Sequence, residues 1–128
     1  MKREEYRVGG LAEPISHYTD AVRAGDLVFA SGIVAVDGEG QLVGDDDVVA
    51  QARQVFRNLG EVLMAAGCGF GDVVKVTIFL TDIANRPKIN PVRQEVFGSA
   101  RPASTLVEVS ALAVPGARIE VEAVAVLP

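Results

Sequence analysis

Val73-Val74-Lys75-Val76-Thr77-Ile78-Phe79-Leu80 is the most β-prone window of the chain. Its β-branched and aromatic residues suit a pleated surface, and only Lys75 and Thr77 interrupt the apolar run, so both faces of the segment call for cover. A central strand is predicted here, and the rest of the chain can be read outward from it.

Upstream, Val48, Ala52, Val55, Phe56, Leu59, Val62, Leu63 and Ala66 recur at steps of three and four, which places them on one side of a helix. Asp45-Asp46-Asp47 supplies a side-chain cap and negative charge at the positive end of the helix dipole, and Gly67 suits the left-handed position after the last turn. Further upstream, Leu27-Val28-Phe29-Ala30 is a short β-forming run between the turn Gly25-Asp26 and Ser31-Gly32. The segment Ala21 to Arg23 folds back on it as a hairpin. Asp37-Gly38-Glu39-Gly40 marks a second turn.

Downstream, Asn90 followed by Pro91 is a good cap and first-position pair, which predicts a second helix from about Pro91 to Phe97. Ser104 to Val109 and Arg118 to Val126 read as two further strands, the latter alternating Ile119, Val121, Ala123 against Glu120, Glu122, Val124. The predicted order is ββαβαββ, an α+β mixed sheet with two helices on one face. Such a sheet leaves its other face uncovered, and closed symmetric association is the common way to cover it. Composition alone leaves dimer and trimer open.

The chain has 128 residues, enough for one hydrophobic core, with no repeat, low-complexity segment or linker, so residues 1–128 are expected to form a single domain. Charged residues number 12 basic and 17 acidic, a net charge of −5 with no basic cluster, and a nucleic-acid partner is therefore not expected. The single cysteine, Cys68, excludes an internal disulfide and offers no metal-ligand spacing. With no apolar leader in Met1-Lys2-Arg3-Glu4-Glu5-Tyr6 and no apolar run near the roughly 20 residues that cross a bilayer, a cytoplasmic protein without membrane contact is expected.

Five segments, in this order and spacing, resemble the Rid (reactive intermediate deaminase, or YjgF) family. They are Ile15-Ser16-His17-Tyr18-Thr19-Asp20-Ala21-Val22, Phe29-Ala30-Ser31-Gly32, Ala50-Gln51-Ala52-Arg53-Gln54, Arg101-Pro102-Ala103-Ser104-Thr105-Leu106-Val107-Glu108-Val109 and Ile119-Glu120-Val121-Glu122-Ala123-Val124-Ala125. The resemblance runs over nearly the whole chain. It implies a chorismate-mutase-like fold, a homotrimer whose sheets pack into a central barrel, and a small-molecule cleft between neighbouring subunits that uses neither cofactor nor metal. Family members typically hydrolyse enamines and imines, such as 2-aminoacrylate, to the 2-keto acid and ammonia. That chemistry needs a positive group for the substrate carboxylate and a water oriented on the imine carbon by a carboxylate and backbone carbonyls.

By this resemblance Tyr18 lines the cleft and Glu120 orients the water; their plain readings are a half-buried aromatic and a solvent-facing or interface charge. Ser31-Gly32 either presents backbone groups to a ligand or merely lets the strand turn. Deaminating members carry an arginine after Pro-Ala that grips the substrate carboxylate through two parallel hydrogen bonds. This chain has Ser104 there. A hydroxyl offers one neutral donor in place of a charged fork, a deficit of about 2 to 3 kcal/mol in a desolvated site.

Three residues are candidates to restore the charge. Arg101 stands roughly 10 Å upstream and on the other face if the segment is extended. Arg93 shares a helix face with Asn90, which either caps the second helix or, like its family counterpart, sits near the cleft. His17, the only histidine, precedes Tyr18 where the family usually has proline. Their plain readings are surface arginines and a solvated loop histidine, and Cys68, without a basic neighbour, reads as structural. Together these residues suggest a cofactor-free hydrolase acting on an imine, enamine or related small nitrogen metabolite. A non-catalytic metabolite-binding trimer is the rival reading, and an endoribonuclease fits an acidic chain least well.

Overall fold

The computed structural model describes residues 2–128. Its elements run β1 (Arg3–Tyr6), β2 (Ala21–Ala24), β3 (Leu27–Ile33), α1 (Val48–Ala65), β4 (Val73–Leu80), α2 (Arg86–Phe97), β5 (Ala103–Glu108) and β6 (Ile119–Val126), with 3-10 turns at Phe70–Asp72 and Ile83–Asn85. The expected ββαβαββ order is present from β2 onward. Strand β1 is an addition: Arg3-Glu4-Glu5-Tyr6 has no apolar alternation, and it is a strand because its backbone pairs with the free edge of β2, from Arg3↔Ala24 to Tyr6↔Ala21.

The strands form one mixed sheet in the order β1-β2-β3-β6-β4-β5. β4 and β5 are parallel, which requires a crossover, and α2 supplies it. The predicted central strand Val73 to Leu80 is thus an interior strand, held between β6 and β5. Val28, Val76, Ile78, Leu80, Ile119 and Val121 point from the sheet to the helical layer, where Val55, Phe56, Leu59, Val62 and Leu63 of α1 close the core. Each such side chain contributes about 1.5 to 3 kcal/mol on burial. Phe56, Phe70 and Phe97 meet edge to face with centroids 5.6 to 6.5 Å apart, joining both helices to the 3-10 turn.

Helix α1 starts where the acidic run predicts. The Asp47 carboxylate accepts from the backbone N–H groups of Val49 and Ala50, and Gly67 takes φ +86° just past the last turn. Helix α2 does not begin at Pro91. It begins at Arg86, with Asn85 at the cap position and the Asp82 side chain accepting from Ala84 N–H in the turn before it, so Asn90 lies within the helix and caps nothing. The longer helix buries Ile89 as well as Val92 and Phe97. Pro91 is tolerated because the carbonyl it leaves without a donor belongs to Pro87, and both prolines face solvent.

The other face of the sheet is open. Even-numbered residues of β6 point to it, so Glu120 and Glu122 share it with Val124 and Val126, and Leu27 and Phe29 of β3 lie opposite Val126 and Val124. Phe79 and Val107 continue the face across β4 and β5. Leu27, Phe29, Val107 and Val126 are exposed there, with Phe29 44% accessible. Among the described residues no helix is long and apolar enough to cross a membrane.

Candidate functional site

The pairing of β3 with β6 slips between Ala30 and Ile33, and this irregularity sets Ser31 and Gly32 at the wall of a cavity. Ser31 anchors the neighbouring loop: its N–H donates to the Asp20 carbonyl at 2.9 Å and its hydroxyl to the Thr19 carbonyl. The Asp20 carboxylate in turn accepts from Val8 N–H at 2.8 Å and pairs with Arg7. The loop so pinned brings Ile15, Ser16 and Tyr18 against Ser31 and Gly32, with Ala113 and Glu120 completing the wall. Tyr18 is 47% exposed, with its hydroxyl accepting from Ile15 N–H at 3.3 Å, so its ring stands at the rim.

Glu120 dominates the chemistry of this cleft. Its carboxylate lies over the backbone of Gly32, where a Cβ would come within 2.9 Å of the Glu120 Cδ, so glycine is needed here for close approach. Burial lifts the Glu120 carboxyl above its ordinary range, and the charge of Glu122 on the same face adds to the rise. No hydrogen-bond or ion-pair partner among the described residues offsets that rise.

The Ser104 end is built differently. Ser104 pairs with Val76, whose side chain is in the core, and so points to the helical side of β5. There Arg93 of α2 donates from Nη2 to Ser104 Oγ at 2.7 Å. Arg93 is partly buried, which lowers its pKa from the ordinary guanidinium range, and none of the salt bridges among the described residues involves it. It remains a cation with unused donors, and the Ser104 hydroxyl keeps its own proton to donate.

Of the sequence-predicted residues, Tyr18, Ser31, Gly32 and Glu120 therefore meet in one cleft, while Arg93 and Ser104 meet at a second place on the opposite face of the sheet. Asn90 is exposed one helical turn before Arg93. His17 and Arg101 are exposed and contribute to neither cavity wall beside Tyr18. Among the described residues no cluster of His, Cys, Asp and Glu suits a metal ion.

One supporting residue has no assigned role in the sequence reading. Gln51 is fully buried in α1; its amide donates to the carbonyls of Asp45 and Gly116 and accepts from Arg118 N–H at 2.8 Å, fixing the chain just before Glu120. Its signal was available, since position 51 falls within the apolar stripe of Val48, Ala52 and Val55 where a polar side chain needs a reason.

These features define a class: a small α+β domain with one helical layer, an apolar open sheet face and a cleft at a strand irregularity beside a carboxylate. The solved structure of YyfA from Yersinia pestis, a protein of the Rid family, shares the fold with a TM-score of 0.92 and 33% identity over 98% of this chain and 100% of that one. The chain belongs to this family, whose model is described as Endoribonuclease L-PSP and matches residues 10–127. A RutC family protein of Pyrococcus horikoshii is 39% identical over 113 residues, covering 88% of this chain and 89% of the relative. A 2-iminobutanoate/2-iminopropanoate deaminase of Mus musculus is 41% identical over 113 residues, covering 88% and 82%.

Proposed function

We propose that this protein is a cofactor-free cytoplasmic deaminase that hydrolyses small 2-imino or enamine acids to the 2-keto acid and ammonia, working as a homotrimer through residues 1–128 as one domain. The observation that carries the reading is the Glu120 carboxylate, half-buried and without a counter-ion at the wall of a small cleft. A carboxylate whose proton affinity is raised is suited to take a proton from water and return it. Water adds to the carbon of the protonated imine as Glu120 accepts its proton; Glu120 passes that proton to the carbinolamine nitrogen, and as ammonia leaves the carbinol hydroxyl gives its own proton back to Glu120, which releases it to solvent, and the carbon–oxygen double bond forms. Tyr18 and the Ser31-Gly32 backbone bound the reacting atoms.

The substrate carboxylate needs a cation, and Arg93 held against Ser104 is the group that supplies it. In one protomer this cation lies on the helical side of β5 while Glu120 lies on the open face, so no single chain can hold both ends of a three-carbon acid. A cleft completed by a neighbouring subunit resolves this, and the apolar face carrying Leu27, Phe29, Val107 and Val126 gives the association its driving force. Asn90, on the exposed side of α2 one turn from Arg93, belongs to the same wall in this reading. The family description names an endoribonuclease, but a net charge of −5 is poor material for binding a phosphate backbone, and the relatives named for imine deamination fit the cleft better.

The test is ammonia release from 2-iminopropanoate generated in place by an amino-acid oxidase. The native protein should accelerate hydrolysis, and Glu120→Gln should lose about 100-fold or more of that rate. A folded trimer that accelerates the hydrolysis of no imine would leave a binding protein instead.

A further inference from the structure

The cleft beside Glu120 leads inward to a second compartment that shares Ile15, Tyr18, Ser31 and Gly32 with it. This compartment lies between β3, α1 and the loops around residues 11–18 and 110–117, and its volume is about 120 Å³. Leu11, Ile33, Val34, Val36, Val62 and Val114 give it its character.

Its inner polar side chains already have partners, and the Tyr18 hydroxyl, which accepts from Ile15 N–H, stands at the rim with its own proton free. Asn58 donates to the carbonyls of Val36 at 2.8 Å and Val34 at 3.4 Å and accepts from Gln54. Asp20 is held by Arg7 and Val8 N–H, Glu13 pairs with Arg7 at 3.4 Å, and the Ser31 hydroxyl is spent on the Thr19 carbonyl. An occupant therefore finds mainly apolar contact beyond the Tyr18 rim, so a polar or charged group placed there would enter at a cost. An apolar cavity of roughly 150 Å³ takes a benzene molecule, so this one suits a group slightly smaller.

We infer that the compartment receives the side chain of the substrate, and that the preferred substrates are 2-imino acids with a branched aliphatic side chain of three or four carbons. The inference rests on the deaminase reading of the adjoining cleft. With the imine carbon at Glu120, the side chain passes between Tyr18 and Gly32 into the compartment, which a methyl group leaves mostly empty and a benzyl group exceeds.

The experiment compares kcat/KM for 2-imino-4-methylpentanoate and 2-iminopropanoate in the native protein and in Val114→Phe and Val34→Phe, which fill the compartment from two separate stretches of its wall. The native ratio should be about tenfold or more in favour of the branched acid, and either variant should lower it by about tenfold. Calorimetry with the keto acids 4-methyl-2-oxopentanoate and pyruvate gives a readout independent of turnover, and the former should bind the native protein at least tenfold more tightly. Hydrolysis of both imines at similar rates, with no preference in binding, would overturn the inference and leave the deaminase reading in place. Absence of turnover with a retained binding preference would overturn the deaminase reading and leave the apolar compartment as a ligand site.

Discussion

The Glu120 carboxylate rests on the backbone of Gly32, occupying the space a side chain at position 32 would need. The irregular pairing between β3 and β6 brings the two together, and the glycine is what allows the carboxylate to lie at the cleft wall.

Gly32→Ala tests this contact. The added methyl meets the far end of a flexible side chain and not backbone, so the protein should fold with a melting temperature close to native. The carboxylate, however, must swing away, and kcat for imine hydrolysis should fall by about tenfold or more, since misplacement of a reacting group by about 1 Å can cost 100-fold. A native rate in the alanine variant would contradict the placement of Glu120 as the base.

The pH dependence follows from the raised Glu120 pKa. Only the ionised form accepts a proton from water, so the rate should fall as pH drops through the folded-state value, giving an acidic limb above the ordinary 4.5. Glu122→Gln removes the second cause of the rise and should move that limb down. For stability the sign is reversed from a salt-bridged acid: the native state holds the proton more tightly than the unfolded chain, so a penalty is absent below the unfolded pKa and fully present above the folded one. Thermal melts should therefore show Glu120→Gln more stable than native at pH 7 and no different near pH 3.

Arg93 and Ser104 are tested as a pair. Arg93→Met should reduce kcat/KM for 2-iminopropanoate by about 10- to 100-fold, the range expected for a charged hydrogen bond to a carboxylate. Adding Ser104→Arg to that variant should restore much of the loss, because a guanidinium on β5 starts from the atom that Arg93 now contacts. Full activity in Arg93→Met alone would remove Arg93 from the site.

Much of the fold was legible in local pattern. The run from Val73 to Leu80, the apolar stripe of α1 and the hairpin across Gly25-Asp26 each carry enough periodic or turn signal to fix their elements. Helix α2 shows where such signals fail: Asn90-Pro91 has the local chemistry of a start, yet burial of Ile89 and the turn capped by Asp82 place the start at Arg86. Strand β1 has no signal at all because an exposed edge strand is defined by its partner's free backbone groups. At the site, Tyr18, Ser31, Gly32 and Glu120 could be named from sequence, but not the separation of Glu120 from Ser104 by the sheet, which depends on register. The apolar compartment was hidden for a similar reason, since its walls come from five separate stretches of chain.

The most direct test of a cleft shared between subunits is complementation. Glu120→Gln and Arg93→Met, each expected to lose about tenfold or more of the activity, are unfolded together, refolded as a mixture and assayed for ammonia release from 2-iminopropanoate. If one protomer supplies Glu120 and its neighbour Arg93, random assortment makes about one cleft in four fully native, and roughly a quarter of the native rate should return. Activity no higher than the average of the two separately refolded variants would contradict the shared cleft and with it the central claim.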